Sequence, residues 1–80
     1  MRRCALRLTE SALRYARRHR LEGEIERLGL GADCLTGDVV SIETGERPHD
    51  FVILARRWAV TSDGRRLELT LDHPARRPRV

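Results

Sequence analysis

The sequence predicts an α+β domain packed as a two-layer sandwich: an N-terminal strand, one bent helix or two short helices, then a three-stranded antiparallel meander. Three observations carry this expectation. Residues 3–8 alternate apolar and polar side chains, residues 9–28 open on a helix cap and continue in good helix formers, and residues 38–72 hold three apolar stretches separated by turn signals. With 80 residues the chain has room for one small domain, placed at 1–74, followed by a basic tail at 75–80 that is expected to be flexible. A chain of this length encloses a modest core, which disfavours a deep active site.

In the first strand Cys4, Leu6 and Leu8 share one side while Arg3, Ala5 and Arg7 share the other, the period-2 pattern of a half-buried strand. Thr9 supplies an N-cap oxygen and Glu10 a carboxylate for the positive end of the helix, and Ala12, Leu13 and Ala16 begin its apolar stripe. That stripe shifts sideways before Leu21, Ile25 and Leu28, and Gly23 costs about 1 kcal/mol relative to Ala, so the helix is expected to bend or break around residues 18–23. Continuity would instead be helped by Arg18–Glu22 and Arg20–Glu24 pairs. Gly29 and Gly31 stop the helical segment, and residues 32–36 are expected to form a loop.

Val39, Val40 and Ile42 mark the second strand, which leaves through the turn-rich stretch Thr44 to Pro48. The longest apolar run, Phe51 to Val60, presents Phe51, Ile53, Ala55, Arg57 and Ala59 on one side and Val52, Leu54, Arg56, Trp58 and Val60 on the other. Both sides are apolar in the first half, so this strand is expected to be central and covered on both faces. A single helical layer covers one of them; curling of the sheet, the 29–37 loop or a second copy of the chain is left to hide the other, and a homodimer is the expectation. Asp63-Gly64 is a hairpin signal, and Leu67, Leu69 and Leu71 alternate with polar residues to form the last strand, ended by Asp72-His73-Pro74.

All 16 basic residues are Arg, and they are unevenly spread. Residues 1–20 hold seven Arg and one Glu, residues 21–46 one Arg and seven acidic groups, and residues 47–80 eight Arg and four acidic groups, which sum to the chain's +4. Such a pattern governs steering and association more than fold. The absence of Lys, with abundant Arg and Ala, is in keeping with a bacterial genome rich in G and C.

Several functional classes fall away. No run of 18 apolar residues is present to make a membrane-crossing helix, and Arg7 and Glu10 interrupt any export signal near the start, so a cytoplasmic location without membrane partners is expected. Two cysteines, Cys4 and Cys34, are too few for a secreted disulfide framework and are expected to be reduced. Cys4, His19, Cys34, His49 and His73 lack the short ligand spacing of a zinc site, with Cys4 expected on the apolar side of its strand and the histidines at the surface. Gly29-Leu30-Gly31 has no third glycine at position 34 and follows a helix, unlike a dinucleotide loop. Glu22, Glu24 and Glu26 diverge on a helix, and Ser11, Ser41 and Ser62 lack flanking glycines. No catalytic residue, metal or cofactor is assigned, and a non-enzymatic role is preferred.

Arginine is the distinctive resource, because its planar guanidinium grips phosphate with two parallel hydrogen bonds. Arg14, Arg17 and Arg18 share a helix face, and with Arg56 and Arg66 they are the candidate nucleic-acid-binding residues. Three aromatic residues, Tyr15, Phe51 and Trp58, make a poor stacking platform for single strands. Trp58 is expected in the core or a dimer contact, with Arg56 stacked on it. The leading expectation is therefore a small basic domain that binds RNA or DNA phosphates through an Arg-rich face. A protein-interaction or regulatory module acting as a homodimer, with the acidic 22–46 region as its contact, is the second.

The element order also resembles that of the compact RelE-type ribonuclease toxins, in which helices precede a meander whose concave face holds Arg and His for RNA cleavage. The resemblance is architectural and matches no residue motif. It implies Arg56, Arg66 and His73 as the groups to contact phosphate and move a proton.

Overall fold

The computed structural model describes residues 4–75. The tail expected at 75–80 lies outside this range except for Ala75. The elements run β1 (Ala5–Leu8), α1 (Glu10–Arg18), α2 (Glu22–Glu26), β2 (Val39–Thr44), β3 (Arg47–Thr61) and β4 (Gly64–Asp72). They form a four-stranded sheet of order β1-β4-β3-β2, with β1 parallel to β4 and the other pairs antiparallel. Both helices cover one face, giving the expected two-layer α+β arrangement.

Thr9 caps α1 by accepting a hydrogen bond from the Ala12 backbone N–H, and its own N–H donates to the Leu71 carbonyl on β4. The break between the helices falls at Arg20, within the expected 18–23 stretch. Arg20 adopts φ 56°, its N–H donates to the Arg17 carbonyl, and the N–H of Leu21 reaches back to the Ala16 carbonyl. This paired closure satisfies two orphan carbonyls, and Leu21, buried against Ala16 and the core, is the apolar anchor that offsets the cost of about 1 kcal/mol for a non-glycine residue in the left-handed region. With the helix interrupted, the ion pairs differ from those a continuous helix would make: Arg17 meets Glu22 and Arg27 meets Glu24.

Between β2 and β3, Thr44 pairs with Arg47 across a two-residue turn, where Gly45 takes φ 75°. Pro48 lies inside β3, beyond the end of β4, so the strand has a hydrogen-bonding neighbour on one side only and its missing N–H costs no second ladder bond. Ile53 pairs with Leu71 and Ala55 with Thr70, which leaves Leu54 as one extra residue, a β-bulge. The bulge overturns the alternation expected for residues 51–60. Phe51 and Ile53 share the helix-covered face with Arg56, Trp58 and Val60, while Val52 shares the opposite face with Ala55, Arg57 and Ala59. Phe51 and Trp58 therefore do not project to opposite faces.

The core forms where Ala12, Ala16, Leu21 and Ile25 meet Phe51, Ile53, Leu67, Leu69 and Leu71. Central β3 is not covered on both faces within one chain: Leu54 is 50% exposed and Ala55 is exposed. The helical segment is long enough for a single layer, and the 29–37 loop packs Cys34 against the helix-covered core and leaves Leu54 half exposed.

Candidate functional site

α1 places Tyr15 and His19 one turn apart, β3 contributes His49 beside Phe51, and the end of β4 contributes His73. All three histidines of the chain gather around its only tyrosine. The Tyr15 hydroxyl shares a 2.7 Å hydrogen bond with His49 Nδ1, and its ring stacks on His73 at 3.6 Å between centroids and 22° between planes. His19 lies 4.3 Å from Tyr15 and 5.1 Å from His49, and Phe51 meets Tyr15 edge to face at 5.9 Å. His49 is 8% exposed and the other two histidines are half-buried, so the expectation of surface histidines is corrected. Their placement follows from an i, i+4 pair on a helix facing an i, i+2 pair on a strand, two periodicities that coincide only once the layers are packed.

The electrostatics favour the neutral form of His19 and His73. Desolvation lowers the pKa of His19, and the nearby His49, Arg47 and Arg18 add to the effect. Desolvation also lowers that of His73, against the opposing charge of Asp72. A neutral imidazole accepts a proton, and a tyrosine hydroxyl donates one. Arg18 and Arg47 lie close to His19, and on α1 Arg14 and Arg18 are exposed, a turn apart, and form no ion pair among the described residues. Arg17 meets Glu22 at 3.9 Å, both side chains being largely exposed.

The five candidate arginines do not come together on one surface. Arg14, Arg17 and Arg18 remain a row on α1. Arg56 is half-buried beneath the 32–36 loop, donating from Nη2 to the Ala32 carbonyl at 3.0 Å, and its buried Nε finds no acceptor among the described residues. Arg65, not Arg56, lies over Trp58, at 5.3 Å from the ring, and Trp58 is 48% exposed rather than core.

Arg66 sits on the helix-free face in a separate constellation. Glu68, expected on the polar side of its strand, is only 3% exposed. Arg7 from β1, Arg57 from β3 and Arg66 from β4 roof its carboxylate at 3.3, 3.6 and 3.2 Å. Burial pushes the Glu68 carboxyl up, but the Arg66 hydrogen bond and the charges of Arg7 and Arg57 outweigh it and hold the group below the usual carboxylate range. The sequence signal for this site is Arg66 and Glu68 two apart on an alternating strand; the contributions of Arg7 and Arg57 depend on strand order.

Cys4 and Cys34 are free, half-buried thiols packed against the core. Desolvation and the proximity of Cys34 raise the Cys4 pKa, which keeps this thiol protonated and poorly nucleophilic. Among the described residues no three His, Cys, Asp or Glu side chains converge as metal ligands, and no helix is long and apolar enough to cross a membrane.

Fold and site together define a two-layer α+β domain with a basic helix beside a histidine–tyrosine cluster. Comparison of the chain with protein-family models, with curated proteins and with solved structures finds no match.

Proposed function

We propose that the domain binds the phosphate backbone of RNA or DNA through the exposed α1 face, with Arg14, Arg17 and Arg18 as the principal contacts and Arg47 beside them. The observation that carries this reading is that Arg14 and Arg18 keep their charge unneutralised by any carboxylate among the described residues, next to polar aromatic side chains able to hydrogen-bond phosphate or base. Arg56 and Arg66 leave the proposed contact set, since both are committed to partners within the fold.

Backbone binding releases counterions, so affinity for a labelled oligonucleotide should fall with salt, with a log-log slope near −2 to −3 if three phosphates are neutralised. Arg14→Ala, Arg17→Ala and Arg18→Ala combined should weaken binding at least about tenfold at about 50 mM salt. Affinity unchanged between about 50 and 300 mM salt refutes the proposal.

The histidine–tyrosine cluster favours RNA cleavage as a second reading. A neutral imidazole would take the proton of a 2′-hydroxyl as that oxygen attacks phosphorus, while the departing 5′-oxygen takes a proton from the Tyr15 hydroxyl, leaving a 2′,3′-cyclic phosphate. Single-stranded RNA should then be cut and the same sequence in DNA left intact, with loss of cutting in His73→Ala and Tyr15→Phe. RNA that stays intact at high protein concentration rejects this reading and leaves the binding proposal standing.

A further inference from the structure

On the helix-free face the register sorts charge into two ends. Asp50 on β3 and Glu43 on β2 are exposed at one end and form no ion pair among the described residues. At the other end Arg7, Arg57 and Arg66 share the single carboxylate of Glu68, three positive charges against one. The middle is mainly apolar: Val39 pairs with Val52, and Leu54 lines a shallow groove with Val52, with Val39 and Leu54 each about half exposed, while Asp72 opposite Val52 is half-buried and accepts hydrogen bonds from Thr9 and Ser11. Along β3, Asp50 and Arg57 are separated by about 20 Å.

We infer that this face is a self-complementary surface on which a second copy of the chain docks about a two-fold axis through the Val52–Leu54 region, laying the acidic end of each copy on the basic end of the other. A two-fold contact requires that one patch complement itself after a half-turn, and a strip that is acidic, apolar and basic in that order does so. A four-stranded face of this length covers about 600 Å² per copy, or about 1,200 Å² for the pair, at the lower end of specific interfaces. The dimer is therefore reversible in the micromolar range and weakened by salt. It leaves the exposed arginines of α1, on the helix-covered side, outside the contact.

The test is the mass of the nuclease-treated full chain by sedimentation and light scattering from about 1 to 200 micromolar, around the range where a weak interface associates. The expected result is twice the 9.2 kDa chain mass at the upper end. Asp50→Arg should weaken association at least tenfold, and Leu54→Arg or Leu54→Asp alone should give monomers. An equimolar mixture of Leu54→Arg with Leu54→Asp should recover the dimer, because each places the opposite charge near the axis. Both positions are exposed in the single chain, and circular dichroism checks that the variants fold. A monomer at the highest concentration overturns the inference, as does a dimer unmoved by both Asp50→Arg and Leu54→Asp, or a mixture that stays monomeric.

Discussion

Phe51, Ile53, Leu69 and Leu71 are fully enclosed on one side of the sheet, whereas Val39 and Leu54 on the other remain half exposed and the best-buried side chain there is a carboxylate. The two faces are held by different physics. Under the helices, water is removed from hydrocarbon and the gain scales with area. On the open face, three guanidiniums whose own side chains are largely exposed exclude water from Glu68, and the arrangement depends on every partner of one buried charge being present. A small chain with one short helical layer thus seals one face with apolar packing and holds the other with an ionic cluster.

The comparison breaks most sharply at its apolar extreme. Leu69→Ala should cost about 2–5 kcal/mol, as for large-to-small changes at enclosed sites, while Leu54→Ala should leave the monomer within about 1 kcal/mol of the parent; urea unfolding at low concentration measures both. Glu68→Gln should lower the thermal midpoint clearly, and Glu68→Leu less so, because the uncharged isostere keeps polar atoms among three unneutralised arginines whereas leucine restores packing. If Glu68→Gln is neutral, the ionic account of the open face fails.

Tyr15→Phe keeps the stacking on His73 and removes the hydrogen bond to His49, for an expected loss of about 0.5–1.5 kcal/mol. The smallest effects come from pH, and they separate the two faces. His19 and His73 both titrate below the usual value of about 6.5, so the unfolded chain takes up protons first. Their contribution is complete above about pH 6.5 and is lost as pH falls toward their folded values. Glu68 is lowered from the ordinary carboxylate range, so its contribution is complete above about pH 4.5 and disappears only as pH falls through its folded value. Unfolding midpoints in urea across pH 7.5 to 3 should show a shallow histidine loss that His19→Gln with His73→Gln removes, then a later one that Glu68→Gln removes.

Much of the architecture was legible because each element carried a local signal. The alternation of β1 and β4, the Thr9 cap and the two glycine-marked hairpin turns need only neighbouring residues to be understood. The bulge at Leu54 was not legible, since an apolar run from Phe51 to Leu54 gives no alternation in which an extra residue would show, and that residue reversed the faces assigned to Trp58 and Arg56. The helix break was expected around residues 18–23 and falls there, at Arg20; that the left-handed residue is Arg20 and not a glycine follows from the tertiary burial of Leu21. The arginine row of α1 could be read from its three- and four-residue spacing; that Arg56 and Arg66 belong to other surfaces could not.

By itself the sequence determined which segments are strands and helices, that the last three strands form a meander, and that Arg is the dominant charged side chain, because periodicity, caps and turns act over a few residues. Only the tertiary structure decided that β1 lies parallel beside β4, that three histidines meet one tyrosine, and that Glu68 is buried under three arginines. Each of those depends on contacts between residues tens of positions apart, where the choice among many pairings is made by simultaneous packing of the layers and leaves no local trace in the chain.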